Sequence, residues 1–180
     1  MNLVTLFIYL LVCIIFLITL VAIIYTISIY KSIYIQISTI NKILINIQEG
    51  LIKKFYLTLD LLQIVKRYTK IESSISEQIN IFKINVNDHE YVKKNISSTY
   101  NQITEILNKL FLVIQNHSKL KKHKTLLQTK RNLDEIDDLI KKSVMHYNTA
   151  VKNLNGKIVI FPNNIVSIVF NLQPKEFIDI

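Results

Sequence analysis

The residues best suited to chemistry in this chain are four histidines, at positions 89, 117, 123 and 146. No two of them lie four residues apart, so the helical His-Glu-x-x-His zinc motif is absent. Asp88, His89 and Glu90 are consecutive, and consecutive side chains do not converge on one metal ion. We therefore predict neither a metal site nor a cofactor.

A second candidate for chemistry is a short run of four carboxylates: Asp134, Glu135, Asp137 and Asp138. Two carboxylates on one helix face could share acid–base work. However, Lys141 follows Asp137 by four residues and Lys142 follows Asp138 by four, which is typical of ion pairs on a solvated helix surface. We interpret the run as an exposed charged face.

Motifs for nucleophilic catalysis and phosphate binding are absent. The only cysteine, Cys13, lies in an apolar N-terminal segment, and Gly50 and Gly156 are isolated, so neither belongs to a phosphate-binding loop. We predict that the chain is not an enzyme. The alternative is a membrane-associated enzyme or sensor with a site assembled between helices, which inward-facing polar residues on two or more helices would favour.

Basic residues outnumber acidic ones, 22 to 13, and the densest basic run is Lys119, Lys121, Lys122 and Lys124. Anionic lipid headgroups or an acidic membrane protein would attract such a cluster. Nucleic-acid binding typically uses interleaved aromatic residues or a recognition helix. The sequence shows neither, so no nucleic-acid partner is expected. The interpretation that we favour for these four lysines is a plain solvated loop, and contact with an anionic surface is the alternative.

The elements that carry these residues begin with a membrane segment. Residues 3–30 contain no charged side chain, and about 20 apolar helical residues suffice to span a bilayer. Tyr25 and Tyr30 precede Lys31, as in an interfacial aromatic belt. We predict a single-pass anchor over residues 1–30, in the cell membrane, that contacts lipid through residues 3–30. The lysines that follow favour a cytoplasmic C-terminal domain: Lys31, Lys42, Lys53 and Lys54.

The rest of the chain, residues 31–180, has the pattern of an all-α domain. The whole chain holds only two glycines and two prolines, too few for the frequent turns of an all-β domain. Apolar residues recur every three or four positions from 33 to 47, 52 to 82, 96 to 114 and 133 to 154. This predicts an antiparallel bundle of about four long helices. Gly50 is expected to kink or weaken the first helix, and Asn155 with Gly156 to end the last.

A turn and a short apolar element follow the last long helix. Pro162 suits the first turn of a helix and disfavours helical geometry at Phe161. We expect the Phe161 ring to be buried and residues 165–170 to fold back as a cap on the bundle. The alternative is that residues 165–170 enter the bilayer surface beside the anchor.

The C-terminal third resembles the LemA family of bacterial membrane-anchored proteins. The matching positions are Tyr147, Asn148, Val151, Asn155, Phe161, Pro162, Asn164, Phe170, Pro174 and Phe177, and upstream Lys66, Tyr68, Glu72, Leu120 and Lys121. The chain departs from the family pattern at Leu59 with Asp60, at Ile71, and at His117 with Ser118.

The resemblance covers roughly residues 40–178 and implies a single N-terminal span followed by a helical bundle. It implies no established activity. We read the matching positions from Tyr147 onward as structural. The leading hypothesis for function is a scaffold or protein-interaction module at the cell membrane.

Overall fold

The computed structural model describes residues 3–69 and 73–180, and within these ranges it contains helices and no strand. In chain order the helices are α1 (Leu3–Lys66), α2 (Ser73–Asn87), α3 (His89–Lys94), α4 (Ile96–Gln115), α5 (Ser118–Lys121), α6 (Lys124–Val159) and α7 (Asn163–Val169). This confirms the predicted all-α class. Two positions discussed above, Ile71 and Glu72, lie outside the described residues.

The first helix, α1, runs without a break through the apolar N-terminal segment and past Gly50. In the described part of the chain it is the one helix long and apolar enough to cross a membrane. Hydroxyl groups within the apolar segment bond back to the helix, since Thr19 Oγ1 donates to the carbonyl of Phe16 and Thr26 Oγ1 to that of Ala22, both at 2.8 Å. Such local bonds let a threonine lie in an apolar helix at little cost.

The helices fall into two compact units. Unit 1 comprises Met1–Thr39 with Ala150–Lys175, and unit 2 comprises Ile40–Thr149 with Glu176–Ile180. The helices α1 and α6 contribute residues to both units.

Unit 2 is a bundle built from α2 to α5, most of α6 and the second part of α1. On α4, all six residues of the predicted apolar stripe are buried: Ile96, Tyr100, Ile103, Leu107, Leu110 and Ile114. The α1 and α6 segments run antiparallel, because Gly50 lies against Ile140 while Lys54, one turn later, bonds Asp137, one turn earlier. The antiparallel bundle is confirmed.

The apolar stripe predicted from position 52 was partly right: Phe55, Leu62 and Val65 are buried, whereas Ile52 and Leu59 are only half-buried. Leu51, Thr58 and Leu61 are buried, whereas Tyr68 is exposed. Since α1 does not end at Gly50, its buried positions continue the seven-residue repeat of the residues before it. We had restarted the stripe at Ile52, which is only half-buried.

Gly50 serves close packing and does not interrupt the helix. A Cβ atom at this position would lie 2.9 Å from Cγ1 of the buried Ile140. At Gly156, also inside a helix, a Cβ atom would meet nothing within 4 Å.

These two glycines allow a matched prediction. We expect Gly50→Ala to lower the free energy of unfolding by about 1–3 kcal/mol, because an added methyl overpacks the core. The gain in helix propensity, about 1 kcal/mol, offsets only part of this loss. Gly156→Ala gains the propensity without the clash and should raise stability. Urea titrations of both variants test this, and equal effects would contradict the packing role of Gly50.

Unit 1 combines the first part of α1, the end of α6 and α7. Its core includes Ile29 and Ile33 from α1, with Val151, Leu154, Ile158 and Val166. The predicted helix stop at Asn155 and Gly156 was wrong, since α6 continues to Val159. The prediction of a buried Phe161 was also wrong, because this side chain is 75% exposed. Pro162 lets the chain turn into α7 while the ring of Phe161 faces outward.

Candidate functional site

The most unusual feature of unit 2 is a lysine inside the bundle. Lys54 on α1 is only 2% exposed, and its Nζ lies 2.6 Å from Oδ1 of Asp137 on α6. From α4, Thr104 Oγ1 accepts a second hydrogen bond from Nζ at 3.1 Å, and the ring centroid of Tyr100 lies 3.9 Å from it. The Tyr100 hydroxyl in turn donates to Asp137 Oδ1 at 3.0 Å. Three helices therefore meet in one polar cluster: Lys54, Tyr100, Thr104 and Asp137.

Burial and charge act in opposite directions on the pKa values in this polar cluster. Burial lowers the pKa of Lys54, and the adjacent Asp137 carboxylate opposes that effect. Burial alone would raise the pKa of Asp137, but hydrogen bonds from Lys141 and Lys54 outweigh it, so the pKa lies below its usual value. Lys141 Nζ reaches Asp137 Oδ2 at 2.7 Å from the solvent side. The expected Asp137–Lys141 pair thus forms, but Asp137 also faces inward to Lys54.

The sequence analysis missed this cluster because it placed Lys54 among the charges flanking the membrane. A signal was present, since Ile40, Ile47, Lys54 and Leu61 are spaced by seven residues. A repeat of seven marks the core seam of packed helices. The lysine therefore occupies a core position of the repeat.

A second polar arrangement in unit 2 holds the C-terminal tail. Asn148 on α6 bonds both backbone groups of Ile178: its Nδ2 donates to the carbonyl at 2.7 Å, and its Oδ1 accepts from the N–H at 2.9 Å. Tyr147 donates its hydroxyl proton to the carbonyl of Glu176 at 3.2 Å. A side-chain amide that pairs with one residue's N–H and C=O replaces the bonds a neighbouring strand would supply.

Unit 1 contains the same kind of clamp. Asn155 Nδ2 donates to the carbonyl of Lys175 at 2.8 Å, and its Oδ1 accepts from the N–H of Lys175 at 2.9 Å. The tail is thus recognised at Lys175 through its backbone, whatever side chain stands there.

The clamp at Asn148 gives a testable prediction. In Asn148→Asp the carboxylate keeps the acceptor but loses the donor, so it faces the Ile178 carbonyl with no proton between them. We expect the free energy of unfolding to fall by about 1–3 kcal/mol, the usual cost of leaving a part-buried hydrogen-bonding group such as the Ile178 carbonyl without a partner. Faster hydrogen exchange at the Ile178 amide measures release of the tail. Asn153→Asp makes the same chemical change at an exposed position of α6 and should leave the tail protected.

The four basic residues singled out from the sequence lie around α5. Lys119 and Lys121 belong to α5, Lys122 caps its C-terminus and Lys124 begins α6, and all four are exposed. One of them, Lys121, borders an open cavity of about 610 Å³ between α4, α5 and α6. We call this cavity the α4–α6 groove; its lining residues are Asn108, Phe111, Leu112, Ile114, Gln115, Lys121, Leu126, Leu127 and Lys130.

The α4–α6 groove exposes large apolar side chains beside two lysines. Leu112 is 61% exposed, and Leu127 is also exposed. Lys130 places its Nζ 5.5 Å from the ring centroid of Phe111, within the range of a cation–π contact. The charged side chains that line this groove are both basic, Lys121 and Lys130.

Comparison with known proteins identifies the family. A sequence model described as the LemA family matches residues 44–180, most of the chain. The chain belongs to the LemA family. Neither the curated proteins nor the solved structures compared with it gave a match.

The LemA signature positions from Tyr147 onward lie in α6, in α7 with its flanking turns, and in the tail. Tyr147, Asn148 and Asn155 hold the tail, in which Pro174 and Phe177 are exposed. Pro162 is the residue before α7, Asn164 lies in α7 and Phe170 caps its end. The Phe170 ring lies 4.3 Å from that of Tyr30, within unit 1. The polar cluster around Lys54 includes none of these positions.

Proposed function

We propose that this member of the LemA family is a membrane-anchored interaction module, and that its α4–α6 groove binds a segment of another membrane protein. The observation that carries this proposal is that the groove exposes Leu112 and Leu127 and is lined by the basic side chains of Lys121 and Lys130. Contiguous patches of exposed apolar side chains typically mark sites where a protein binds a partner.

The chemistry of the groove defines the partner. An amphipathic helix can lay apolar side chains on Leu112 and Leu127. Acidic side chains beside that apolar face would pair with Lys121 and Lys130, which gives charge complementarity. The volume of about 610 Å³ leaves room for several side chains. The partner class is therefore an apolar segment with acidic flanks.

Photocrosslinking in native membranes tests the proposal. A photoreactive amino acid at Leu112 in the full-length chain should give a discrete protein adduct. Lys130→Glu reverses the charge at the groove and should remove most of that adduct. Lys142→Glu makes the same change at an exposed α6 position outside the groove lining and should preserve it. Adducts to lipid alone, or equal loss in both variants, would rule the groove out.

Anchoring and orientation belong to the same proposal. We propose that residues 3–30 embed the chain in the cell membrane, supported by the length and apolar character of α1. The lysines that follow the span favour a cytoplasmic unit 2. A cysteine introduced at Lys142 in a Cys13→Ser background should resist impermeant maleimide in intact cells and react after lysis. Labelling in intact cells would reverse the orientation.

One observation favours a second candidate, an enzyme or sensor with a site between helices. The polar cluster brings inward-facing polar side chains from three helices together, as such a function would require. Yet Lys54 Nζ is held by Asp137, Thr104 and the Tyr100 ring, and it is 2% exposed. A nucleophilic amine needs a free lone pair and access to substrate. These contacts support a structural role, and we propose no catalytic step.

A further inference from the structure

A second apolar surface lies in unit 1. Its side chains come from the end of α6, the turn and α7, and all are exposed: Val159, Ile160, Phe161, Ile165, Ile168, Val169 and Phe170. The largest exposed fraction is that of Ile168, at 78%. We call this set the α7 surface. No charged residue occurs in the sequence between Lys157 and Lys175.

The position of the α7 surface on the anchor is fixed by two contacts within unit 1. The ring centroids of Phe170 and Tyr30 lie 4.3 Å apart, and Lys157 Nζ donates to Ser32 Oγ at 2.6 Å. Tyr30 and Ser32 flank Lys31, the first charged residue after the apolar segment. The α7 surface therefore lies level with the point where α1 would leave the hydrocarbon core.

We infer that the α7 surface is a second membrane contact, which inserts its side chains into the interfacial region of the bilayer beside α1. This rests on the proposed anchoring of residues 3–30. An apolar helix face lowers its free energy when it enters the boundary between headgroups and acyl chains. Aromatic residues such as Tyr30 and Phe170 favour that depth. Phe170 of the α7 surface packs on Tyr30 at the end of the apolar segment of α1, so lipid that covers the anchor would reach it too.

The uncharged composition supports lipid over a protein partner. Unlike the α4–α6 groove, the α7 surface has no charged side chain that could pair with a protein partner and fix the partner's orientation. Val166 and Ser167 face inward and are buried, so α7 is held on unit 1 by one face and free on the other. The sequence-based expectation of a cap with a buried Phe161 does not describe this exposed face.

Depth-dependent fluorescence quenching tests the inference on the full-length chain in vesicles of phosphatidylcholine and phosphatidylglycerol. A fluorophore is placed at Ile168→Cys in a Cys13→Ser background, at Asn153→Cys in the same background as the matched exposed position, and at the native Cys13. Lipids carry a quencher either near the headgroup or near the chain end. We expect position 168 to lose most of its emission to the shallow quencher, position 153 to lose little to either, and Cys13 to be quenched most by the deep one.

Each other result overturns a defined part of the inference. If Cys13 is quenched while position 168 behaves like position 153, the α7 surface does not enter lipid although the anchor does. If Cys13 is not quenched, the proposed anchoring fails and the inference fails with it. If position 168 is shielded from water but unquenched, protein covers it; loss of that shielding on dilution to one chain per vesicle would identify a second copy. A label at Val169→Cys must reproduce the result at 168.

Discussion

Replacing Asp137 by alanine is expected to lower the free energy of unfolding by about 3–5 kcal/mol, the usual cost of removing one partner from a buried ion pair. The variant leaves the Lys54 ammonium 2% exposed without its carboxylate, and the Tyr100 hydroxyl without its acceptor. Urea denaturation of the full-length chain in detergent micelles, followed by circular dichroism, measures the loss.

Two controls separate the buried pair from surface charge. Asp138→Ala removes an exposed carboxylate from the neighbouring position and should change stability by less than about 0.5 kcal/mol. The triple variant Lys54→Met, Tyr100→Phe, Asp137→Leu replaces the polar groups with apolar groups of similar size, and it should recover most of the stability. Equal losses for Asp137→Ala and Asp138→Ala would mean that the polar cluster contributes nothing to folding.

Ile140→Asp is expected to have the largest effect, a loss of more than about 4 kcal/mol that unfolds unit 2. Ile140 is 1% exposed and lies against Gly50, so a carboxylate there would be buried without a partner. Leu139→Asp adds the same charge one residue earlier, where the side chain is exposed, and should be tolerated. Loss of helical signal in the first variant and not in the second confirms the face assignment. Similar melting of both would refute it.

Much of the fold followed from the spacing of apolar residues. On α4 and on α6 every residue of the predicted stripe is buried, because an uninterrupted repeat leaves only one face that can meet a partner. The stripe on α1 was only partly right after Gly50, because the helix continues through the glycine and also buries Leu51, Thr58 and Leu61. An isolated glycine inside a packed helix can serve a close contact. Sequence cannot distinguish that role from a break unless the opposing Ile140 is known.

The polar features were harder to predict because they depend on pairs distant in sequence. Lys54 is stable inside the bundle only because Asp137, Tyr100 and Thr104 surround it, and none of the four is unusual alone. Asn155 was expected to end α6, whereas both Asn155 and Asn148 bond the backbone of the tail. Phe161 was expected to be buried, since an aromatic ring after a helix usually packs on the core. In unit 1 the inward-facing residues of α7 are Val166 and Ser167, and Phe161 is exposed.

The lysine on the seven-residue repeat has a consequence for register. The buried apolar residues of unit 2 are mainly isoleucine and leucine, so a shift of α6 by one repeat against α1 would still match apolar with apolar. The same shift would carry Asp137 about 10 Å from Lys54, because each helical residue rises about 1.5 Å. Our hypothesis is that the ion pair selects one alignment among several of similar energy, as single polar core residues do in coiled coils. The triple variant should then stay folded but give more than one set of amide resonances, and a single set would show that the aliphatic side chains define the alignment by themselves.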